Sequence, residues 1–209
     1  MEHEMVKPKL VLLGATALLV IGLGLRWPAA IPIGRPALRN SPASRLANHF
    51  PNVRLRTQDN REVRFYDDLV KGRVVMINFM FTTCTSLCPR STANLVKVQQ
   101  ALGDHAGRDM FVISISVDPE HDTPSVLKQY AEQYQIKPGW TFVTGKRADI
   151  ERIRQGLGVR DNDDLSQHTG MLIYGNEPFG QWASTPVMQS PATLAAIVLR
   201  VVDPRANGG

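Results

Sequence analysis

Cys84 and Cys88 are the only cysteines among 209 residues, and they lie four positions apart in Met80-Phe81-Thr82-Thr83-Cys84-Thr85-Ser86-Leu87-Cys88-Pro89-Arg90. A thiolate is both a nucleophile and a soft metal ligand, so a single close pair points to one site rather than to a disulfide scaffold. On a regular helix, residues four apart hold their β-carbons about 5–6 Å apart. A disulfide wants about 3.5–4.5 Å, so forming one requires Thr85-Ser86-Leu87 to be an irregular loop. Two thiolates around a metal at about 2.3 Å tolerate the wider separation. The spacing therefore favours a metal. It leaves open a redox pair or a plain structural disulfide.

Two thiolates need at least one further ligand, and the chain offers His3, His49, His105, His121 and His168. His3 falls in the N-terminal tail, His49 beside a proline-rich stretch, and His105 in a polar Gly/Asp turn. His121 lies in Asp118-Pro119-Glu120-His121-Asp122, a loop expected at the carboxyl end of a strand, from which it could approach the cysteines. His168, in Ser166-Gln167-His168-Thr169-Gly170, directly precedes a strand signal and could face the cysteine loop from the edge of the same sheet. The bland reading of a lone histidine is surface; position makes His168 the better candidate. Met76, Met80, Met110 and Met171 offer thioethers, but they fall in or beside strand patterns and read as core.

These side chains need a scaffold to hold them. Residues 74–79 are apolar and β-branched, the mark of a buried strand. After Cys88, the series Thr92, Leu95, Val96, Gln99 and Leu102 has helical spacing, with Pro89 expected at the first helical position. A helix N-terminus at this point favours a nearby thiolate. Upstream, residues 53–57 and 62–66 alternate about Asp59-Asn60, which predicts a hairpin. Downstream come a core strand over 111–117, a helix opened by Thr123-Pro124 with Leu127, Tyr130, Ala131 and Tyr134 on one face, and a short strand over 141–144. A helix over 147–157, strands over 171–174 and 181–185, and a last helix from Pro191 complete the chain. The run Asp118–Pro124 reads as a strand stop followed by a helix cap on Asp122 or Thr123, with support of the site as the alternative. Strands alternating with helices predict an α/β sheet flanked by helices, thioredoxin-like as the best single fold, with active residues at the carboxyl ends of the strands.

Residues 45–209, about 165 in number, suffice for one domain with a real core. The net charge of +5 and pI near 9.5 would suit an acidic partner. The basic residues are scattered, however, without a block interleaved with aromatics, so no nucleic-acid partner is expected. Residues 10–25 carry no charge, with Lys7 and Lys9 before them and Arg26-Trp27 after. As a helix they would rise about 24 Å, against a hydrocarbon core of about 30 Å unless Trp27 and its neighbours extend them. A cleaved signal peptide is the rival, but Pro28-Ala29-Ala30 is a poor cleavage site and no cysteine follows to accept a lipid. The expected organisation is an uncleaved, single-pass anchor over 1–28, a proline-rich tether over 29–44 (Pro32, Pro36, Pro42), and a globular domain over 45–209 on one side of the membrane.

Three segments together resemble the Sco/SenC family: Phe79-Met80-Phe81-Thr82-Thr83-Cys84-Thr85-Ser86-Leu87-Cys88-Pro89, then Ile115-Ser116-Val117-Asp118-Pro119-Glu120-His121-Asp122-Thr123-Pro124, then Gln167-His168. The similarity runs from about residue 53 to residue 202. It implies a thioredoxin-like copper protein with an N-terminal membrane anchor that helps assemble the binuclear copper centre of cytochrome c oxidase subunit II. Carried over by position, it implies that Cys84 and Cys88 are thiolate ligands and His168 the imidazole ligand of one copper. In a bacterium it implies a domain facing the periplasm from the inner membrane, with subunit II as client and another copper chaperone or a thiol reductant as a further partner. Soft thiolates suit Cu(I), and two sulfurs with an imidazole also suit Cu(II) given an added ligand; zinc fits the same atoms.

The chain departs from the family at three positions. Many members carry Pro and Asp between the cysteines and Asp before the histidine, where this chain has Thr85, Ser86 and Gln167. Fewer nearby carboxylates should alter copper affinity and redox tuning. The expected function is a metallochaperone rather than an enzyme. The alternative is a thiol–disulfide oxidoreductase that uses Cys84 and Cys88 as a catalytic redox pair to reduce the cysteines of the oxidase copper site. A peroxiredoxin-like peroxidase also fits the fold, but no Arg/Thr peroxide-binding motif surrounds Cys84.

Overall fold

The computed structural model describes residues 50–159 and 170–202. Strands β1 (Arg54–Thr57) and β2 (Glu62–Arg64) form the expected hairpin, with Leu55 opposite Val63. Asn60 at its turn has φ 57°, a left-handed conformation that Asn tolerates. The second strand stops at Arg64, two residues short of expectation. Phe65–Val70 winds instead into one wide helical turn that buries Phe65, Tyr66, Leu69 and Val70. Then come β3 (Val74–Met80), α1 (Leu87–Leu102), β4 (Met110–Ser116), α2 (Pro124–Gln133), β5 (Trp140–Gly145) and α3 (Arg147–Gly156). The chain closes with β6 (Met171–Asn176), β7 (Gln181–Pro186) and α4 (Pro191–Val202).

All seven strands join one sheet in the order β2-β1-β5-β4-β3-β6-β7. Strands β3, β4 and β5 are parallel, as their helical crossovers require, whereas β1 and β6 run antiparallel to their neighbours. This is the expected mixed α/β sheet of thioredoxin-like proteins. Side chains of β3 alternate between two cores. Met76 and Met80 pack with Leu95 and Val98 of α1, Leu127 of α2, and Leu194 and Val198 of α4. Val75, Ile77 and Phe79 pack on the other face with Phe65, Leu69 and Ile150 and Ile153 of α3. Burial on both faces is why this strand reads as an unbroken apolar run. Its one polar residue, Asn78, accepts a hydrogen bond from the Ser114 hydroxyl at 2.7 Å, and that hydroxyl accepts from the Trp140 indole N–H at 2.9 Å. Met76, Met80 and Met110 are core, as expected, and Met171 is half-buried.

The antiparallel β6 has a consequence for the site. Its first residues lie at the end of the sheet where β3 and β4 finish, so the segment entering β6 arrives beside the segment leaving β3. The apolar stretch 10–25, the tether and His168 lie outside the described residues. Among the described residues no helix is long and apolar enough to cross a membrane.

Candidate metal centre

Strand β3 ends at Met80, the chain turns irregularly, and α1 begins at Leu87. Cys84 is therefore in the loop and Cys88 is the second residue of the helix. Pro89 sits third in the helix rather than first, a position still within the opening turn, where backbone N–H groups have no intrahelical partner. Ser86 makes no side-chain cap. Instead the Cys88 N–H donates to Cys84 Sγ at 3.3 Å, and Ser86 Oγ lies 3.9 Å from the same sulfur. Sulfur thus takes the role an oxygen usually plays at a helix start. Because Cys84 lies off the helix, the wide helical spacing does not govern the pair. The two sulfurs are not joined in a disulfide and are in hydrogen-bond contact with each other. Such a pair can clasp a metal or close into a disulfide.

The two sulfurs are electrostatically unlike. Burial works to raise the Cys84 thiol, but hydrogen bonds from the Cys88 thiol and N–H and from Ser86 outweigh it, and its pKa falls below the ordinary value. Cys88 is pushed up to about 12, first by burial, then by its hydrogen bond to Cys84 and the charges of Cys84 and Asp122. Cys84 is accordingly the sulfur that ionises first, and Cys88 the thiol that donates to it. Binding one metal through both sulfurs requires that Cys88 give up its proton.

A buried carboxylate fixes the loop that carries Cys84. Asp122, with no exposed surface, accepts from the Thr82 N–H at 3.2 and 3.3 Å, from the Thr82 hydroxyl, and from the Ser116 hydroxyl at 2.5 Å. Ser116 ends β4, so this one side chain ties the loop after β3 to the loop after β4. Helix α2 is capped by Thr123, whose hydroxyl accepts from the Val126 N–H at 3.4 Å. The two readings of the run 118–124 are thus divided between adjacent residues: Thr123 caps, Asp122 supports the site. Thr82 and Ser116 complete that support; both fall within segments that carry the family resemblance, but their role shows only in the fold.

The described histidines each pair with a carboxylate. His121 Nδ1 pairs with Asp118 at 2.8 Å with its side chain largely in solvent, and that hydrogen bond and charge raise its pKa. Asp118 also lies 4.0 Å from the Arg147 guanidinium, which pairs with Glu120. His105 pairs with Asp109 at 2.8 Å in the turn after α1. Among the described residues no three His, Cys, Asp or Glu side chains converge as a metal cluster. The third expected ligand, His168, lies outside those residues. Its neighbour in sequence, Gly170, is described, and lies against Leu87 so closely that a β-carbon there would come 2.9 Å from Leu87 Cδ2. Gly170, the residue that leads into β6, therefore lies directly beside the start of α1. Two soft sulfur donors in a half-built site fit a soft cation such as Cu(I).

Known proteins resemble the chain in sequence and in fold. A SCO1 protein homolog of Bacillus subtilis is 38% identical over 96 residues, 45% of this chain and 48% of the relative. A SCO2-like protein of Rickettsia felis is 33% identical over 115 residues, 54% of this chain and 55% of the relative. The chain thus spans about half the length of these curated relatives. The copper-bound structure of Bradyrhizobium japonicum ScoI superposes with a TM-score of 0.58 at 25% identity, over 71% of this chain and 96% of that one. A structure of BsSco, described as a Sco-family cytochrome c oxidase assembly protein with a disulfide switch, superposes with a TM-score of 0.61 at 25% identity, over 72% and 91%. The family model for SCO1/SenC matches residues 44–201, which takes in the cysteine loop, the Asp122 support and the approach to β6. By that match, the chain belongs to the SCO1/SenC family.

Proposed function

We propose that this protein binds one copper ion through Cys84, Cys88 and His168 and hands it to the binuclear copper site of cytochrome c oxidase subunit II. The observation that carries the reading is the passage of Gly170 against Leu87, two residues after His168 and one before Cys88. It supports a third ligand arriving from the strand side at a pair of sulfurs already in contact. Copper in the related ScoI structure supports the identity of the cargo. Cys84, the sulfur that ionises more readily, takes the metal first, and Cys88 follows by releasing its proton. The uncharged stretch 10–25 is the basis for proposing a single-pass anchor that holds the domain on the periplasmic side, within reach of a membrane-bound oxidase.

The test is a transfer experiment. Reduced, Cu(I)-loaded chain is mixed with the copper-free copper domain of subunit II, and the binuclear centre is followed by absorption and EPR. The proposal predicts stoichiometric transfer from the wild type and none from His168→Ala. Transfer that survives His168→Ala refutes the ligand assignment.

A second reading rests on the unlike thiols. A thiol that ionises readily beside a neighbour that holds its proton, in hydrogen-bond contact, is the arrangement of a reductant in thiol–disulfide exchange. On that reading the pair reduces the oxidised cysteines of subunit II and becomes a disulfide itself. His168→Ala would then keep the reductase reaction while losing copper.

A further inference from the structure

Copper held between Cys84 and Cys88 must be reached before it can leave, yet the two residues are only 7% and 2% exposed. Ligand exchange at Cu(I) proceeds through an incoming donor that bonds before an outgoing one lets go. Among the described residues two large hydrophobic side chains are exposed, Phe179 and Met188. Met188, 41% exposed, stands on the turn between β7 and α4, and that turn is held by hydrogen bonds with α1, with β7 and with Gly170. The Asn94 side-chain amide of α1 donates to the Val187 carbonyl at 2.8 Å and to the Gln189 carbonyl at 2.9 Å, clamping the backbone on both sides of Met188. The Gln189 amide donates to the Thr185 hydroxyl at 2.6 Å. The Val187 N–H donates to the Gly170 carbonyl at 2.7 Å, which ties the turn to the segment that follows residue 168.

The sulfur of Met188 itself faces α1. Ser91 Oγ lies 3.9 Å from its Sδ, and Ser91 is three residues after Cys88 on the same helix. Residues three apart on a helix keep their β-carbons about 5–6 Å apart, so the thioether stands one helical turn from a thiol ligand. A methionine side chain has three rotatable bonds and a polarisable, uncharged sulfur. It binds Cu(I) in preference to harder cations and, unlike cysteine, needs no deprotonation to do so.

We infer that Met188 is a transfer ligand for Cu(I), a soft donor outside the buried pair through which the ion passes on its way in or out. The inference rests on the copper reading above. In the step, a Cu–S bond to Met188 forms as the Cu–S bond to Cys88 opens. The metal remains Cu(I), no electron moves, and the Cys88 thiolate left behind takes a proton from water. Met188 is not a resident ligand; the affinity of the site is set by the cysteines.

The experiment compares the full chain in detergent with its Met188→Leu variant, which keeps the apolar volume and removes the sulfur. Both are loaded anaerobically with Cu(I) and mixed in stopped flow with excess chromophoric Cu(I) chelator. The inference predicts unchanged copper per chain and release about tenfold slower, the lower end of what loss of a supporting group costs at a metal site. An unchanged release rate overturns it. A second measurement stands apart from copper loading: the doubly substituted Cys84→Ser/Cys88→Ser chain, labelled in its methionine methyls, is titrated with Ag(I). A selective shift of the Met188 methyl resonance is expected, and no shift overturns the inference even if release is slowed, since packing alone would then explain the rate. If the wild type takes up no copper, the function proposed above fails on its own account, and the Ag(I) titration still decides Met188.

Discussion

Substitution of Asp122 probes the support of the site. Its carboxylate has no exposed surface and accepts from the Thr82 N–H, the Thr82 hydroxyl and the Ser116 hydroxyl. Hydrogen bonds to a charged group contribute about 1.5–3 kcal/mol each. Thr82 is half-buried and regains water when the carboxylate is removed, whereas Ser116 is fully buried and does not. Asp122→Ala should therefore destabilise the fold by about 3–4 kcal/mol, which is two such bonds at the lower end of that range because Thr82 regains water. With a urea dependence of about 2 kcal/mol per molar, the unfolding midpoint falls by about 1.5–2 M. Asp122→Asn keeps one acceptor oxygen and should lose about half as much. The loop should loosen before the domain unfolds, so iodoacetamide should alkylate Cys84 faster in Asp122→Asn under native conditions. Urea melts followed by circular dichroism, together with timed alkylation, give both readings. A midpoint shift below about 0.5 M for Asp122→Ala, with unchanged alkylation, would refute the assignment of Asp122 as the pin of the loop.

Three further outcomes follow from the geometry. Cys88 carries a proton up to about pH 12 that must leave on metal binding, so conditional copper affinity should rise about tenfold per pH unit above the Cys84 pKa; a flat profile in competition titrations would contradict this. His121 is largely in solvent and bound to Asp118, so His121→Ala should leave copper per chain unchanged by elemental analysis. Ser114→Ala removes the acceptor of the Trp140 indole and the donor to buried Asn78, which should cost about 2–3 kcal/mol in a urea melt.

The parts of this fold legible in the sequence are those set by local pattern. Residues 74–80 announce a strand because both of their faces are covered, and each side chain must be apolar except Asn78, whose partners are on β4. The cysteine pair is legible because there is no other. What the sequence conceals depends on contacts between distant residues. Asp122 and Thr123 are equally good helix caps by type. Only the approach of Thr82, forty residues earlier, assigns the carboxylate to the loop and leaves the cap to Thr123. The start of α1 at Leu87 is hidden in the same way, since Pro89 suits any position of a first turn and the Cys84 sulfur supplies the missing cap. Met188 has no sequence signal at all. A single methionine reads as core until the turn around it is seen clamped by Asn94 with its sulfur against Ser91.

On the proposed function, two unlike sulfurs and one imidazole hold a single copper. X-ray absorption at the copper edge of the Cu(I)-loaded, reduced chain tests it most directly, with His168→Ala measured alongside. Two sulfur scatterers and one nitrogen scatterer per copper are expected, with loss of the nitrogen alone in the variant. A shell containing no sulfur, or one that keeps its nitrogen in His168→Ala, would contradict it.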